Sequence, residues 1–277
     1  MESQAMTDTR QPVGVFDSGV GGLTVFRAIR RRLPAEHLLY LGDNARVPYG
    51  SKSRETIIRY TEECAANLVE QGVKCLVVAC NTMSAVALPT LQRRFPGIPV
   101  LGVVEPGALA ACRASASGRI AVIATRSTVN GGAYAAAIRR YRPDAQVVSE
   151  ACPLFVPLAE EGWFDGPLVE AIVARYLAPL FAAEPAPDCL VLGCTHYPLL
   201  SGVIRQVIGP EPAMVDSAET TAQVLAAMLA ERGLLNTAGQ DGSNQFLTTD
   251  DAACFAQIGA RFLGTDVCRD NVSHISL

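Results

Sequence analysis

Two cysteines, Cys80 and Cys194, stand in matching positions far apart in the chain. Each follows a short apolar run, residues 77–79 or 191–193, and each precedes two polar residues. Such a run is typical of a buried strand in a parallel sheet, and open α/β sheets bind ligands at the carboxyl ends of their strands. Each half of the chain therefore offers one thiol at a place where chemistry would be done.

Two thiols that face one pocket from opposite sides suit general acid–base catalysis at a carbon atom. One thiolate removes a proton while the other thiol donates a proton to the opposite face, which inverts the configuration. A cysteine suits this task because its free pKa of about 8.5 can be tuned by neighbouring groups. Two other classes stay open. A cysteine amidohydrolase or transferase needs only one thiol, and two α/β domains around a cleft also describe small-molecule binding proteins.

Polar residues next to the predicted strands supply candidate substrate ligands. Asn81, Thr82 and Thr195 are neutral donors that can hold a carboxylate without protonating it. Asp17 and Asp43 can hold an ammonium group or take part in proton shuttling. The neighbours of the two thiols therefore fit the acid–base hypothesis.

Some of these residues also have a structural interpretation. His196 can tune the Cys194 thiol or relay its proton, and its position two residues after that cysteine shifts the balance from a structural histidine towards function. Asp17 and Ser18 fit about equally well as helix-capping residues and as site residues. Tyr49, taken alone, is typical of an aromatic residue in a turn.

Strands and helices alternate at short intervals along the chain, which is typical of an α/β fold. The glycine-rich turn at residues 17–22 lacks the spacing of a dinucleotide fingerprint or a P-loop, and its N–H groups at a helix start suit an anionic group such as a carboxylate. The pattern restarts at residue 119, which indicates a weak internal duplication. The predicted strands cover residues 13–16, 37–42, 74–79, 100–104, 119–124, 145–149, 188–192, 214–217 and 245–248, with an edge strand within 265–277.

Composition excludes several classes of protein. The 277 residues are 49% hydrophobic and 18% charged, which suits a compact chain of one or two domains. The net charge of -4 gives no electrostatic reason to expect nucleic acid, and no apolar run is long enough to cross a membrane. The nine scattered cysteines form neither a disulfide framework nor zinc-type spacing. The polar residues 1–11 lack the apolar core of a signal peptide and predict a frayed tail on a cytoplasmic protein.

Four blocks of the sequence resemble the signatures of the glutamate racemases, in the aspartate/glutamate racemase family. They are VFDSGVGGL at 15–23, VPYG at 47–50, ACNT at 79–82 and GCTHYPL at 193–199, and the resemblance covers nearly the whole chain. It implies two three-layer α/β/α domains with largely parallel sheets, related by pseudo-twofold symmetry, with the active site in the cleft between them. We predict that residues 1–107 and 216–277 form the first domain and that residues 108–215 form the second.

The resemblance also implies an activity. Members of this family racemise glutamate without pyridoxal phosphate or metal, by a two-cysteine route, and their D-glutamate enters peptidoglycan. A homodimer is implied as well, and no cofactor. The nearest rival is the same chemistry on aspartate, or on both amino acids.

Site residues are implied wherever the motifs match. Cys80 and Cys194 become the two acid–base residues, and Asp17, His196 and a glutamate assist them, Glu160 fitting better than Glu161. The α-carboxylate would be held by Asn81, Thr82 and Thr195. The side-chain carboxylate would be held by the region of Ser18, Tyr49 and Gly50. The predicted substrate-binding residues are Asp17, Ser18, Asp43, Tyr49, Gly50, Asn81, Thr82, Thr195 and His196.

Two positions near the predicted pocket depart from the family pattern. Met83 stands where a small residue is usual, and Asn44 replaces a common threonine. Neither change removes a catalytic group. They bear on the size of the pocket and on its affinity for the substrate.

Overall fold

Two separate parallel sheets hold the ten strands of the computed structural model, which describes residues 8–277. The first sheet has the order β10-β9-β2-β1-β3-β4 and the second the order β6-β5-β7-β8, where the strands are β1 (Val13–Asp17), β2 (Leu38–Gly42), β3 (Cys75–Val78), β4 (Val100–Gly102), β5 (Arg119–Ala124), β6 (Gln146–Ala151), β7 (Cys189–Gly193), β8 (Ala213–Asp216), β9 (Asn244–Thr248) and β10 (Val272–His274). Every neighbouring pair is parallel. The order 2-1-3-4 recurs as 6-5-7-8, as an internal duplication would produce.

Helices cover both faces of each sheet. They are α1 (Leu23–Arg32), α2 (Arg54–Glu70), α3 (Asn81–Arg94), α4 (Val104–Ala114), α5 (Arg126–Asn130), α6 (Ala133–Tyr141), α7 (Phe155–Glu161), α8 (Pro167–Phe181), α9 (Ser201–Ile208), α10 (Ala218–Glu231) and α11 (Ala252–Leu263). On the first sheet, α1, α10 and α11 pack on one face and α2 and α3 on the other. On the second sheet, α7, α8 and α9 pack on one face and α4 and α6 on the other. The predicted pair of three-layer α/β/α units is confirmed. Of the helices in the described chain, none has the length and apolar character to span a membrane.

The central strands are apolar on both faces because helices cover both faces. In β1, Val13 and Val15 join the core cluster that contains α1, whereas Phe16 joins the one that contains α2. Strands β3 and β7 are buried along their whole length. Continuous apolar runs are what a doubly covered parallel sheet requires, and in β3 and β7 the run delivers a cysteine at its carboxyl end.

The fourth strand is shorter than the sequence predicted. Strand β4 ends at Gly102 and α4 begins at Val104, so that residues 105–107 lie in a helix. The strand predicted over 100–104 is confirmed at 100–102, and its predicted end was wrong. A proline is tolerated in the first turn of a helix, where its missing N–H would have no partner inside the helix. Glu105 also carries the charge that a helix N-terminus favours. Pro106 therefore marks the start of a helix here rather than a loop.

Helix α4 also bears on the division into domains. The predicted boundary after residue 107 falls inside α4, and this helix packs on β5 and β7 of the second sheet. Strands of the first sheet come from residues 13–102 and 244–274, and those of the second from residues 119–216. We propose that the first boundary lies before Val104.

The chain before β1 packs against the amino ends of the strands. Gln11 N–H donates to the carbonyl of Asp8 at 3.0 Å, and Lys74 Nζ donates to the carbonyl of Thr9 at 2.5 Å. Residues 8–11 of the predicted frayed tail therefore form a turn with defined contacts. Residues 1–7 of that tail lie outside the described residues.

A buried ion pair lies at the end of the first sheet opposite Cys80. Lys74 Nζ is 2.5 Å from Glu36 Oε2, and the two side chains are 0% and 1% exposed. We expect Lys74→Ala to lower the free energy of unfolding by about 3–5 kcal/mol, because Glu36 is left charged and buried without its partner. Urea denaturation measures this change. Arg94→Ala removes a half-exposed partner of Glu62 and should cost about 1 kcal/mol or less, and equal losses in the two variants would contradict the prediction.

Candidate active site

The two cysteines occupy equivalent positions in the two sheets. Cys80 lies between β3 and α3, and Cys194 directly follows β7. Strands β3 and β7 each pair with the first strand of their repeat, β1 or β5. Each cysteine is 6% exposed. Both thiols are thus held at the carboxyl edge of a sheet and shielded from solvent.

A chain of polar contacts connects the two cysteines across the two domains. Ser18 Oγ donates to Asp17 Oδ1 at 3.0 Å and lies 3.6 Å from the sulfur of Cys80. The second oxygen of Asp17 accepts from Thr195 Oγ1 at 3.1 Å, and Thr195 directly follows Cys194. Because the single hydroxyl proton of Ser18 goes to Asp17, the Ser18 oxygen is free to accept from the Cys80 thiol.

The surroundings of Cys80 favour its protonated form. Burial raises the pKa of the Cys80 thiol well above its usual value, and the negative charge of Asp17 raises it further. Part of this effect is offset because the backbone N–H of Met83 donates to the sulfur, and because the Ser18 hydroxyl can do so when the sulfur is charged. Cys80 is therefore suited to donate a proton at neutral pH.

Cys194 lies beside a histidine that is held by a glutamate. His196 Nδ1 is 3.7 Å from the sulfur of Cys194, and His196 Nε2 is 3.0 Å from Glu160 Oε1. Burial alone would lower the pKa of His196, but the hydrogen bonds with Cys194 and Glu160 outweigh burial and raise it to about 10. The backbone carbonyl of Glu160 also accepts a hydrogen bond from Arg261. The imidazole is therefore positively charged at neutral pH and supplies a counter-charge for a thiolate at Cys194.

The two thiols thus have different electrostatic surroundings. A carboxylate near Cys80 favours the neutral thiol, whereas an imidazolium beside Cys194 favours negative charge on that side of the cleft. Proton transfer across one carbon needs one acid and one base at the same time. The arrangement supplies both without requiring the two sites to be identical.

The predicted carboxylate ligands Asn81 and Thr82 lie where the two domains meet. Tyr134 Oη donates to Asn81 Oδ1 at 2.6 Å. Thr82 Oγ1 lies 2.9 Å from Thr125 Oγ1 and 3.3 Å from Thr128 Oγ1. Side chains of the second domain therefore orient two residues that directly follow Cys80.

Asp43 has a different environment from the one predicted. Its Oδ2 accepts from the hydroxyl of Tyr49 and from Arg46 Nε, the latter at 2.6 Å. Its Oδ1 accepts from Thr249 Oγ1 at 2.9 Å. Both oxygens are thus engaged inside the first domain, and burial raises the pKa of Tyr49 so that its hydroxyl stays a donor. The predicted role of Asp43 was to bind an ammonium group. The geometry instead favours a structural role, in which Asp43 holds the turn that contains Tyr49.

Three residues at this interface were not predicted from the sequence. Thr125 and Thr128 approach Thr82, and a methyl group added at Gly50 would lie 2.7 Å from Thr125 Cβ. The polar run after β5 was a usable signal for the two threonines, because it matches the polar turns after β1 and β3. Tyr134 lies within a helical pattern and carries no comparable signal.

Gly21 lies in the glycine-rich turn where this turn packs against the second domain. A Cβ atom at this position would overlap Thr195 Oγ1 and lie 2.6 Å from His196 Cε1. We expect Gly21→Ala to lower kcat/KM by about 10-fold or more, because a displacement of about 1 Å in a catalytic group can cost up to about 100-fold. Steady-state assays in both directions measure this effect. Gly97→Ala adds a methyl group where no atom lies within 4 Å and serves as the control, and equal activity of both variants would contradict the prediction.

Residues 13–225 match the family model for Asp/Glu/Hydantoin racemase. The chain belongs to this family. It is therefore an isomerase, a racemase, and the matched region includes every predicted site residue from Asp17 to His196.

Known racemases are similar to this one over nearly their whole length. The glutamate racemase of Geobacter metallireducens is 51% identical over 91% of this chain and 92% of its own. The crystal structure of a Bacillus anthracis glutamate racemase matches with a TM-score of 0.91 and 38% identity over 97% of this chain and 98% of its own. The glutamate racemase of Francisella tularensis in complex with D-glutamate matches with a TM-score of 0.89 and 36% identity over 97% and 98%. The resemblance that the four motifs indicated is confirmed.

Proposed function

We propose that this racemase interconverts L- and D-glutamate through two thiols, Cys80 and Cys194, that act on opposite faces of the α-carbon. The relatives described above are glutamate racemases, and one of them is known with D-glutamate bound. The observation that carries the proposal is the pair of buried cysteines at equivalent strand ends, connected through Asp17 and Thr195.

In one direction, the thiolate of Cys194 removes the α-proton, with the imidazolium of His196 as its counter-charge. The thiol of Cys80 then delivers its proton to the opposite face, and the carbon inverts. The enzyme is left with a thiol at Cys194 and a thiolate at Cys80, which is the state that starts the reverse reaction. Once Cys80 is a thiolate, the Ser18 hydroxyl can turn its proton from Asp17 to the sulfur 3.6 Å away and donate to it.

Substrate binding in this proposal follows the predicted ligands. Asn81, Thr82 and Thr195 hold the α-carboxylate, and Ser18 with the turn at Tyr49 and Gly50 holds the side-chain carboxylate. Because the Tyr49 hydroxyl already donates to Asp43, this turn acts through its backbone groups. The turn lies against Thr125 of the second domain, which fits a ligand enclosed between both domains.

Proton NMR in D2O tests the proposal on the purified protein, with D-glutamate, a chelator and no added cofactor. Loss of the α-proton signal together with formation of L-glutamate, read on a chiral column, is the expected result. Exchange without L-glutamate would contradict the two-thiol route. Exchange with aspartate but not with glutamate would move the activity to the rival substrate, and no exchange with either would overturn the proposed activity.

We also propose the cellular role that the resemblance implies. D-glutamate would enter peptidoglycan, and the enzyme would act in the cytoplasm as a homodimer that does not bind nucleic acid, in keeping with its net charge of -4. Complementation of a bacterial strain that requires D-glutamate tests the role. Light scattering after size-exclusion chromatography tests the dimer.

A further inference from the structure

The amide of Asn81 is hydrogen-bonded at one end only. The side chain is 3% exposed, and its Oδ1 accepts from Tyr134 Oη at 2.6 Å. Its Nδ2 is buried and has no hydrogen-bond partner among residues 8–277. A buried donor that is left unpaired destabilises the fold, so a native protein that keeps one has a reason to keep it.

The direction of the Tyr134 hydrogen bond decides which end of the amide is occupied. Burial raises the pKa of Tyr134, so its hydroxyl keeps its proton at neutral pH. Its single proton is directed to Asn81 Oδ1. Since a proton donor pairs with the oxygen of an amide and not with its NH2 group, Nδ2 is turned away from Tyr134.

We propose that Tyr134 is a positioning residue that fixes the amide of Asn81 so that Nδ2 is presented to a carboxylate of the substrate. This inference rests on the proposed function. Asn81 directly follows Cys80, so a carboxylate bound at Nδ2 lies next to one of the two thiols. Tyr134 belongs to α6 in the second domain, and Asn81 opens α3 in the first. The correct orientation of the amide therefore depends on contact between the two domains.

Tyr134→Phe removes the hydroxyl and keeps the ring, and it is the first variant to measure. We expect the KM of both glutamate enantiomers to rise by about 10-fold, which corresponds to one hydrogen bond of about 1.4 kcal/mol, while kcat changes by less than about threefold. Tyr197→Phe is the matched control, because it removes another buried tyrosine hydroxyl that donates to the carbonyl of Cys152 at 2.8 Å. Its KM should stay at the wild-type value.

Asn81 variants separate a positioning role from a structural one. Asn81→Asp keeps an acceptor for Tyr134 but replaces the donor with a carboxylate oxygen, so its KM should rise by more than 10-fold. In the double variant of Asn81→Ala and Tyr134→Phe, KM should be no higher than in Asn81→Ala alone, since Tyr134 acts through Asn81. Additive effects, or a Tyr134→Phe variant that loses only thermal stability, would overturn the inference.

Failure of the proposed function gives a different result. A wild-type enzyme that does not racemise glutamate overturns the proposed function, whatever the variants do. Calorimetric titration of D-glutamate into wild type and Tyr134→Phe then still tests the inference, because it reports binding without turnover. Equal dissociation constants would overturn it, and a rise of about 10-fold in the variant would support it.

Discussion

Replacing either Cys80 or Cys194 with serine should abolish net racemisation and leave α-proton exchange in one enantiomer only. A positioned acid or base contributes about 10²- to 10⁴-fold to rate, so we expect kcat for racemisation to fall by that factor in each variant. The remaining thiol still faces one side of the α-carbon. It can remove a proton from one enantiomer and return a deuteron to the same face, with retention.

The two variants should therefore complement each other in D2O. Cys80→Ser should exchange one enantiomer, and Cys194→Ser should exchange the other, as followed by NMR and chiral chromatography. Matched controls come from the same strands, because Cys75 begins β3 and Cys189 begins β7, and both are fully buried. Cys75→Ser and Cys189→Ser should keep kcat. Full activity in either catalytic variant would favour the single-thiol classes.

Replacing His196 with glutamine should slow racemisation most strongly at low pH. Without the imidazolium, a thiolate at Cys194 loses its counter-charge, and we expect kcat/KM at pH 7 to fall by about 10- to 100-fold, the value of a charged hydrogen bond. The two enantiomers are equally stable, so kcat/KM must fall by the same factor in both directions. Higher pH favours a thiolate even without a counter-charge, so part of the activity should return as the pH rises.

A pH series from 6 to 10 measures this effect, and the wild type should lose activity as the pH passes about 10, where His196 gives up its proton. Glu160→Gln keeps a hydrogen-bond acceptor for His196 but removes the charge. Its loss of kcat/KM should therefore be smaller than that of His196→Gln and should vary with pH in the same way. His37→Gln replaces a histidine that contacts Ser243, on a loop before β2, and should match the wild type. A loss in His196→Gln that is constant across pH would mean that the ring only positions Cys194.

The close contacts between the two domains are made by glycines of two turns and by threonine hydroxyl groups. Gly21 and Gly50 approach the second domain so closely that a methyl group at either would overlap its side chains. Thr82 meets Thr125 and Thr128 through hydroxyl oxygens.

Residues that act through their own position in a strand or turn could be predicted from the sequence. Cys80 and Cys194 each end an apolar run, and the run itself fixes the carboxyl edge of a parallel sheet as their location. Glu160 was preferred to Glu161 from the motif, and its carboxylate lies 3.0 Å from His196. Its role in catalysis stays a prediction until the variants are measured.

Residues that act through a distant partner could not be predicted. The contact of Tyr134 with Asn81 joins positions 53 residues apart in the sequence, and the helical pattern around Tyr134 gives no sign of it. Asp43 looked like a free carboxylate after a strand, but Arg46, Tyr49 and Thr249 occupy its oxygens. Thr249 comes from the far end of the chain, and only the pairing of β2 with β9 brings it there.

The sequence by itself determined the alternation of strands and helices, the repeat and the two thiols at matching strand ends. These features depend on periodicity and on residue chemistry within a few positions, and both can be read locally. Only the tertiary structure decided where α4 begins, which partners hold Asp43, and how the amide of Asn81 is turned. It also gave the two thiols unlike surroundings, with Asp17 near Cys80 and His196 beside Cys194. Burial and hydrogen bonds between distant segments set these properties, and they exist only in the folded chain.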